Sequence, residues 1–351
     1  MKQVKLRWLS AITRRVSPRL GSWRSFSGLI FIALIISLGL NACAVGQPKL
    51  QSLKVGITTW VGFDIVRYAQ TADLFKKHGL TVDLVQFENQ QDSARAVMRG
   101  SLDAAFSSLW DVVQIDSGND KPAVVMVTNI SHGSDGIVTQ SAIKSVEALR
   151  GKRVGAKLGT VNHLILLEAL KLHRIKPAAV TIEDVSNETA VELMAKGTLD
   201  GAVIWQPLLG DTAKKIKGNI VYTTKELNSL VIDTLVSSAT TAKTKKAALT
   251  QFAAAWLDVM HAIDTDPKTV YEQVGKQLGQ SGDSFGSDYA GLIKGDISLQ
   301  QQMFQSQGGL KQAIAQLSQL LQDDPRAGRA PRKDVEINSG PITAAIEAWK
   351  A

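Results

Sequence analysis

The residues of this chain that could do chemistry are hydroxyls, aromatics and a few carboxylates, gathered where extended stretches end. Val55-Gly-Ile-Thr-Thr-Trp-Val-Gly-Phe63 closes a strand-like alternation on Thr58, Thr59 and Trp60, with Phe63 and Asp64 just beyond. Asp103-Ala-Ala-Phe runs into Ser107 and Ser108, and Gly159-Thr160 opens an apolar helical stretch with Asn162 in its first turn. Trp205 ends the segment Leu199–Trp205, directly before Gln206 and Pro207. Hydroxyls and unpaired N–H groups at a helix start hold the polar atoms of a solute, and Trp60, Phe63 and Trp205 could wall a cleft. Each residue also has a plainer role. Thr160 could simply cap its own helix, a single aromatic is commonly core, and His163 either packs or points into the cleft.

Three carboxylates bear on the charge of a ligand. Asp64 and Asp111 lie close after the first and third strand ends, and Asp135 sits in Ser131-His-Gly-Ser-Asp-Gly136. A carboxylate at a cleft mouth attracts an amine or amidine and repels a bare anion; an Asp before Gly also suits a turn. No Arg or Lys stands at the strand ends, Lys157 being the nearest, so nothing there clamps a free oxyanion. The five histidines show no metal spacing, and neither a Gly-x-Ser-x-Gly elbow nor a phosphate loop is present. Cys43 is the only cysteine, which removes disulfides, thiolate metal sites and a thiol nucleophile from everything after it. A non-enzymatic binding protein without metal or cofactor is expected.

The elements that must position these residues alternate. Strand character over 52–59, 80–87, 103–107 and 122–128 interleaves with helical spacing over 63–78 and 91–99. The pattern restarts at Asp135 and continues through a helix over 160–174 to extended segments ending at 205, 223 and 236. From Thr244 the chain is mostly helical and rich in Ala and Gln. Such alternation predicts an α/β fold of two lobes, each a mostly parallel sheet flanked by helices. Lobe one would be built from 52–137 together with 236–351, the C-terminal helices packing on it, and lobe two from 138–235. Two chain crossings would fall near 131–138 and 235–242.

The first residues carry an address. Seven of the 40 basic residues and none of the 32 acidic ones precede Cys43, so the remainder holds 33 against 32 and is nearly neutral. The basic balance therefore belongs to the leader, and nothing points to nucleic acid. Gly28–Leu40 is an uncharged, largely apolar run, the length of a signal-peptide core and short of the roughly 20 residues of a membrane span. Leu40-Asn41-Ala42-Cys43 then fits a lipobox, with Cys43 as lipid attachment site, residues 1–42 as signal peptide and 43–51 as tether. A lone cysteine in an ordinary signal peptide, or an uncleaved anchor helix, are the alternatives.

Taken in order, Val55–Phe63, Ala72-Asp-Leu-Phe-Lys-Lys-His-Gly-Leu80, Met98-Arg-Gly-Ser-Leu-Asp-Ala-Ala-Phe106, Ser145-Val-Glu-Ala-Leu-Arg-Gly-Lys-Arg-Val154, Gly159-Thr160 and Met194–Pro207 resemble a known family. The chain looks like the solute-binding proteins of nitrate, sulfonate, taurine and bicarbonate ABC importers, a group related to the thiamine-pyrimidine binders. The resemblance covers about 250 residues and implies the two-lobed periplasmic-binding-protein fold (type II). It implies a monomer, tethered outside the cytoplasmic membrane, that passes a small polar solute to an ABC permease and its ATPase. It also matches Trp205 to the family's cleft tryptophan, although Gln206 stands where relatives often have Glu. The expected ligand-binding residues are Thr59, Trp60, Phe63, Asp64, Ser107, Ser108, Asp135, Gly159, Thr160, Asn162 and Trp205. A lipoprotein that presents its ligand to a membrane receptor, as a sensor, is the other reading. Among solutes, the acids favour an amine-bearing or zwitterionic compound over a plain anion.

Overall fold

The computed structural model describes residues 50–116, 120–227, 230–323 and 330–350. The expected leader, the lipobox with Cys43 and the tether up to residue 49 lie outside the described residues. Twelve strands are seen among those described. They are β1 Gln51–Ile57, β2 Leu80–Gln86, β3 Ala104–Ser108, β4 Pro122–Ser131, β5 Asp135–Thr139, β6 Arg153–Gly155, β7 Thr181–Glu183, β8 Gly201–Trp205, β9 Asn219–Thr223, β10 Ile232–Ser238, β11 Leu292–Lys294 and β12 Glu336–Ile337.

These strands form two sheets, one per lobe. The first runs β11-β4-β10-β3-β1-β2, with β12 added to β4, and the second runs β7-β6-β8-β5-β9. β4 is buried along its whole length, which explains its nearly unbroken apolar reading Pro122–Val127. β1 pairs in parallel with β2 and β3, as β6 does with β7 and β8. Three strands depart from this: β10, antiparallel to both β3 and β4, β11, antiparallel to β4, and β5, antiparallel to both β8 and β9.

The first crossing falls within the expected 131–138, whereas the second comes earlier than the expected 235–242. The first is the short turn between Ser131 and Asp135, so β5 belongs to lobe two from its first residue. The second precedes Ile232, because Ile232 already pairs with Ile130 of lobe one. The boundary placed at 235 therefore falls inside a lobe-one strand. A lone extended stretch carries no signal of which sheet it will join.

The expected helix over 63–78 is three shorter ones, Val61–Asp64, Arg67–Thr71 and Leu74–Lys77. Asp73 breaks the run by adopting a left-handed backbone (φ 53°), a conformation short polar side chains tolerate. Its apolar spacing survives the break: Ile65, Ala69 and Phe75 are all buried. Gly79 ends the last piece at φ +73°, as a C-terminal glycine should. Between 280 and 340, where the sequence shows little pattern, the described residues form helices Gly282–Tyr289, Ile297–Met303 and Gly309–Asp323. β11 and β12 there pair with opposite ends of β4. No described helix is long and apolar enough to cross a membrane.

One core lies between the first sheet and the long helix Lys246–Thr265. Phe106 is its centre, with ring centroids 5.3 Å from Phe63, 6.1 Å from Phe252 and 6.2 Å from Trp256. A second apolar cluster joins Leu109, Trp110 and Val112 of lobe one to Val161, Leu164 and Ile165 of lobe two. Replacing Phe106 by Ala should cost about 3–5 kcal/mol of stability in urea unfolding, the range for a fully buried aromatic. A loss below about 1 kcal/mol would show that the surrounding rings collapse into the space.

Candidate functional site

The strand ends of lobe one converge on a buried polar edge. After β1, Thr58 is buried, Thr59 exposed, and Trp60 almost fully buried. Trp60 has extended backbone and precedes the helix Val61–Asp64; its N–H donates to Asp64 Oδ2 at 3.1 Å. Its indole Nε1 donates to Asp233 Oδ2 at 2.7 Å. Ser108 caps the short helix after β3: its Oγ accepts from Asp111 N at 3.1 Å and donates to Asp111 Oδ2 at 2.7 Å. Gln90 Oε1 accepts from Ser108 N, and Ser107 O accepts from Thr234 Oγ1.

In lobe two, Asp135 begins β5 directly opposite Trp205, the last residue of β8. Trp205 meets Trp60 edge to face, with centroids 6.2 Å apart and planes at 78°. That contact joins the two lobes across the expected cleft. Asp135 is buried and accepts from Ser131 Oγ at 2.5 Å, while Ser131 Oγ also lies 2.7 Å from Thr224 Oγ1.

A further inter-lobe junction forms at the turn before the helix Val161–Leu172. Gly159, at φ +75°, presents its carbonyl to three side chains of lobe one: Gln91 Nε2, Trp110 Nε1 and Gln114 Nε2, each at 3.1 Å. A residue with a Cβ is strained at that φ, so glycine both makes the turn and aims the carbonyl. The contacting group at Gly159 is thus an acceptor already engaged by protein donors.

Of the eleven expected residues, the structure brings Trp60, Asp135 and Trp205 together, with Ser107 and Ser108 on the same strand edge. Others are occupied elsewhere. Phe63 is wholly buried in the lobe-one core and is not a cleft wall. Asp64 pairs with Arg67 Nε at 2.8 Å and holds the Trp60 backbone, so its role is positional. Thr59 Oγ1 is approached by Gln86 Nε2 at 3.4 Å. Thr160 Oγ1 donates to Lys157 O rather than capping its helix. Asn162 Nδ2 donates to Asn187 Oδ1 and Val203 O, tying its helix to β8. His163 is fully buried and takes the Gly159 N–H on Nδ1 at 3.4 Å, the packed alternative. Lys157 pairs with Asp184 at 2.9 Å.

Sequence reasoning passed over Asp233 and Asn129. Asp233 pairs in register with Asn129 of β4 and with Ser108 of β3, hence on the same edge. It escaped because only the carboxyl ends of strands were considered, whereas an antiparallel strand brings its first residues to that edge. A single acid inside Leu230–Val236 was the available signal.

Burial disfavours the charged form of these acids. Desolvation pushes Asp135 up to about 7, with only the Ser131 hydrogen bond opposing it. Asp233 is raised well above the usual carboxylate range by burial and then by the neighbouring charge of Asp135. Burial raises Asp64 as well, against the pull of Arg67. No cation among the described residues lowers Asp135 or Asp233.

The arrangement defines a class: two α/β lobes joined by two crossings, with a polar and aromatic edge between them, is the periplasmic-binding-protein fold. The alkanesulfonate-binding protein SsuA from Xanthomonas axonopodis pv. citri, bound to MOPS, superposes with a TM-score of 0.65 at 16% identity, covering 88% of this chain and 100% of that one. SsuA of Escherichia coli, a periplasmic aliphatic sulphonate-binding protein, gives 0.66 at 16% identity over 82% and 96%. The chain belongs to the NMT1-like family, whose pattern matches residues 46–275. The taurine-binding periplasmic protein of Escherichia coli (strain K12) is 25% identical over 301 residues, 83% of this chain and 92% of that protein. A Brucella abortus (strain 2308) relative is 29% identical over 172 residues, and the match spans about half its length, 52%, and 48% of this chain.

A carboxyl whose native pKa is raised stabilises the fold at low pH, and that stability is lost as pH rises through the native value. The ligand-free protein should therefore lose the Asp135 contribution progressively from pH 4 to beyond pH 7. Asp135→Asn should narrow the difference in Tm between pH 5 and pH 8 relative to the unsubstituted chain. An equal or wider difference in the variant would place Asp135 in water rather than in the closed edge.

Proposed function

We propose that this chain is the extracytoplasmic solute-binding subunit of an ABC importer, a binding protein rather than an enzyme. The observation that carries the reading is the contact of Trp60 with Trp205 between lobes, beside acids that no cation among the described residues pairs with. A small polar solute enters between the lobes, displaces or slides against the tryptophan pair, and is closed over as the lobes rotate about the two crossings. The closed form is stabilised by contacts the solute makes to both lobes at once, and it is this form that docks on the permease. The similarity to taurine- and sulfonate-binding proteins supports a compact solute with a polar end. The chain acts as a monomer. Cys43 tethers it to the outer face of the cytoplasmic membrane once the leader is removed.

Trp205→Ala should weaken solute binding at least tenfold in calorimetry while leaving the unfolding transition cooperative, on the ~1–3 kcal/mol scale of a lost aromatic wall. Unchanged affinity would move the site away from the tryptophan pair. A thermal-shift panel of taurine, alkanesulfonates, nitrate, bicarbonate and small nitrogen bases finds the solute. A ligand at about 100 times its Kd adds roughly 2.7 kcal/mol of stability. For the tether, Cys43→Ala should release the protein from the membrane fraction of its host; retention would mean that the apolar run itself is the anchor.

A further inference from the structure

The topology places an acid at the same point of each lobe. Each inter-lobe crossing delivers the chain to the cleft edge of the sheet it enters, so the strand that follows runs away from the cleft. β5 and β10 are those strands, and both are antiparallel to neighbours whose carboxyl ends face the cleft. Asp135 is the first residue of β5 and Asp233 the second of β10, both nearly inaccessible to water.

What surrounds them are neutral donors and more acceptors. Asp233 Oδ2 takes the Trp60 indole N–H and Asp135 Oδ2 takes the Ser131 hydroxyl. Beside Asp233 in register is Asn129, also fully buried, whose Oδ1 has no hydrogen-bond partner. Its amide lies against Trp60: a Cβ added at Gly62 would overlap Asn129 Nδ2 and lie 2.7 Å from Trp60 Nε1. A buried amide oxygen left unpaired costs free energy, as does a buried carboxylate without a cation, and one donor-rich positive group would remove both costs. A metal ion fits poorly, since no group of three or more His, Cys, Asp or Glu among the described residues could hold one.

We infer that Asp135, Asp233 and Asn129 form a recognition site for an organic ammonium or amidinium group, one carboxylate from each lobe, with the Trp60–Trp205 pair alongside. The inference rests on the solute-binding reading and names the chemistry of its ligand. The solute's cationic nitrogen donates to both carboxylates and to Asn129 Oδ1, and an edge of a tryptophan pair accepts its apolar part. Because the two acids lie on different lobes, the cation also draws the lobes together. In a ligand-free cleft the same acids repel each other. One charged group thus supplies both selectivity and the drive to close.

The test uses the purified full-length chain at pH 8 with six probes. Three carry a positive nitrogen (methylguanidinium, 1,4-diaminobutane, taurine) and three do not (ethanesulfonate, 2-hydroxyethanesulfonate, nitrate). At least one of the first three should raise Tm and bind in calorimetry, and none of the second three should. Asp233→Asn and Asp135→Asn should each weaken that binding at least tenfold, while Asp283→Asn, an exposed acid outside the cleft, should not change it. Asn129→Leu, which removes the acceptor together with the amide that bonds Asp233 and keeps only the branched outline, should weaken it less than either Asp variant. Circular dichroism of each variant establishes that it is folded before binding is read. Binding of the anions without the cations, or wild-type affinity for the cation in Asp233→Asn, would overturn the inference and leave solute binding by the cleft standing. Binding of none of the six would overturn both.

Discussion

The constraint on which the structure depends is that the chain crosses between its two sheets twice, and crosses at their cleft edges. β4 ends at Ser131 and β5 begins at Asp135, so β5 cannot run with β6 and β8 and must oppose them. β9 runs back towards the cleft, and β10 re-enters the first sheet against β3 and β4. A right-twisted parallel α/β sheet offers ligands the carboxyl ends of its strands. Here each lobe adds the amino end of one opposed strand to the same edge. The polar residues of the cleft thereby come from twice as many directions as a purely parallel arrangement allows.

Everything at the edge is held from behind by packing. Phe63 and Phe106 fix the turn on which Trp60 sits, and Gly62 leaves room for Trp60 and Asn129 to approach. Asp64 accepts the Trp60 N–H and is itself paired with Arg67, so the indole is aimed by an ion pair one helical turn away. In lobe two, Asn162 ties the helix after Gly159 to the β8 backbone, close to Trp205. Such supporting contacts give several residues expected at the ligand the role of positioning Trp60 and Trp205.

The two lobes meet through contacts of different character. The Trp60–Trp205 pair is an edge-to-face contact with few directional demands, suited to surfaces that part and rejoin. The Gly159 carbonyl, by contrast, takes three directed hydrogen bonds from Gln91, Trp110 and Gln114. Together with the apolar cluster that includes Leu109 and Leu164, it makes a directed and packed junction between the lobes. Asp135 and Asp233 lie with the tryptophan pair.

The sequence by itself determined the fold class, the alternation of elements and the family, because strand alternation, helical spacing and glycine caps are local properties. It also placed Trp60, Asp135 and Trp205 at element ends, where polar and aromatic residues stand out against apolar runs. Phe63 was misread because an aromatic looks the same in sequence whether its ring faces the core or a cleft. Asp233 was missed because strand direction is decided by where the chain comes from, a non-local fact that no period or propensity encodes. Only the tertiary structure sets which sheet a strand joins, and with it which end of that strand meets the solute. Burial then changes the chemistry: an Asp side chain that is an ordinary charge on the surface has its pKa raised when it is packed between the lobes.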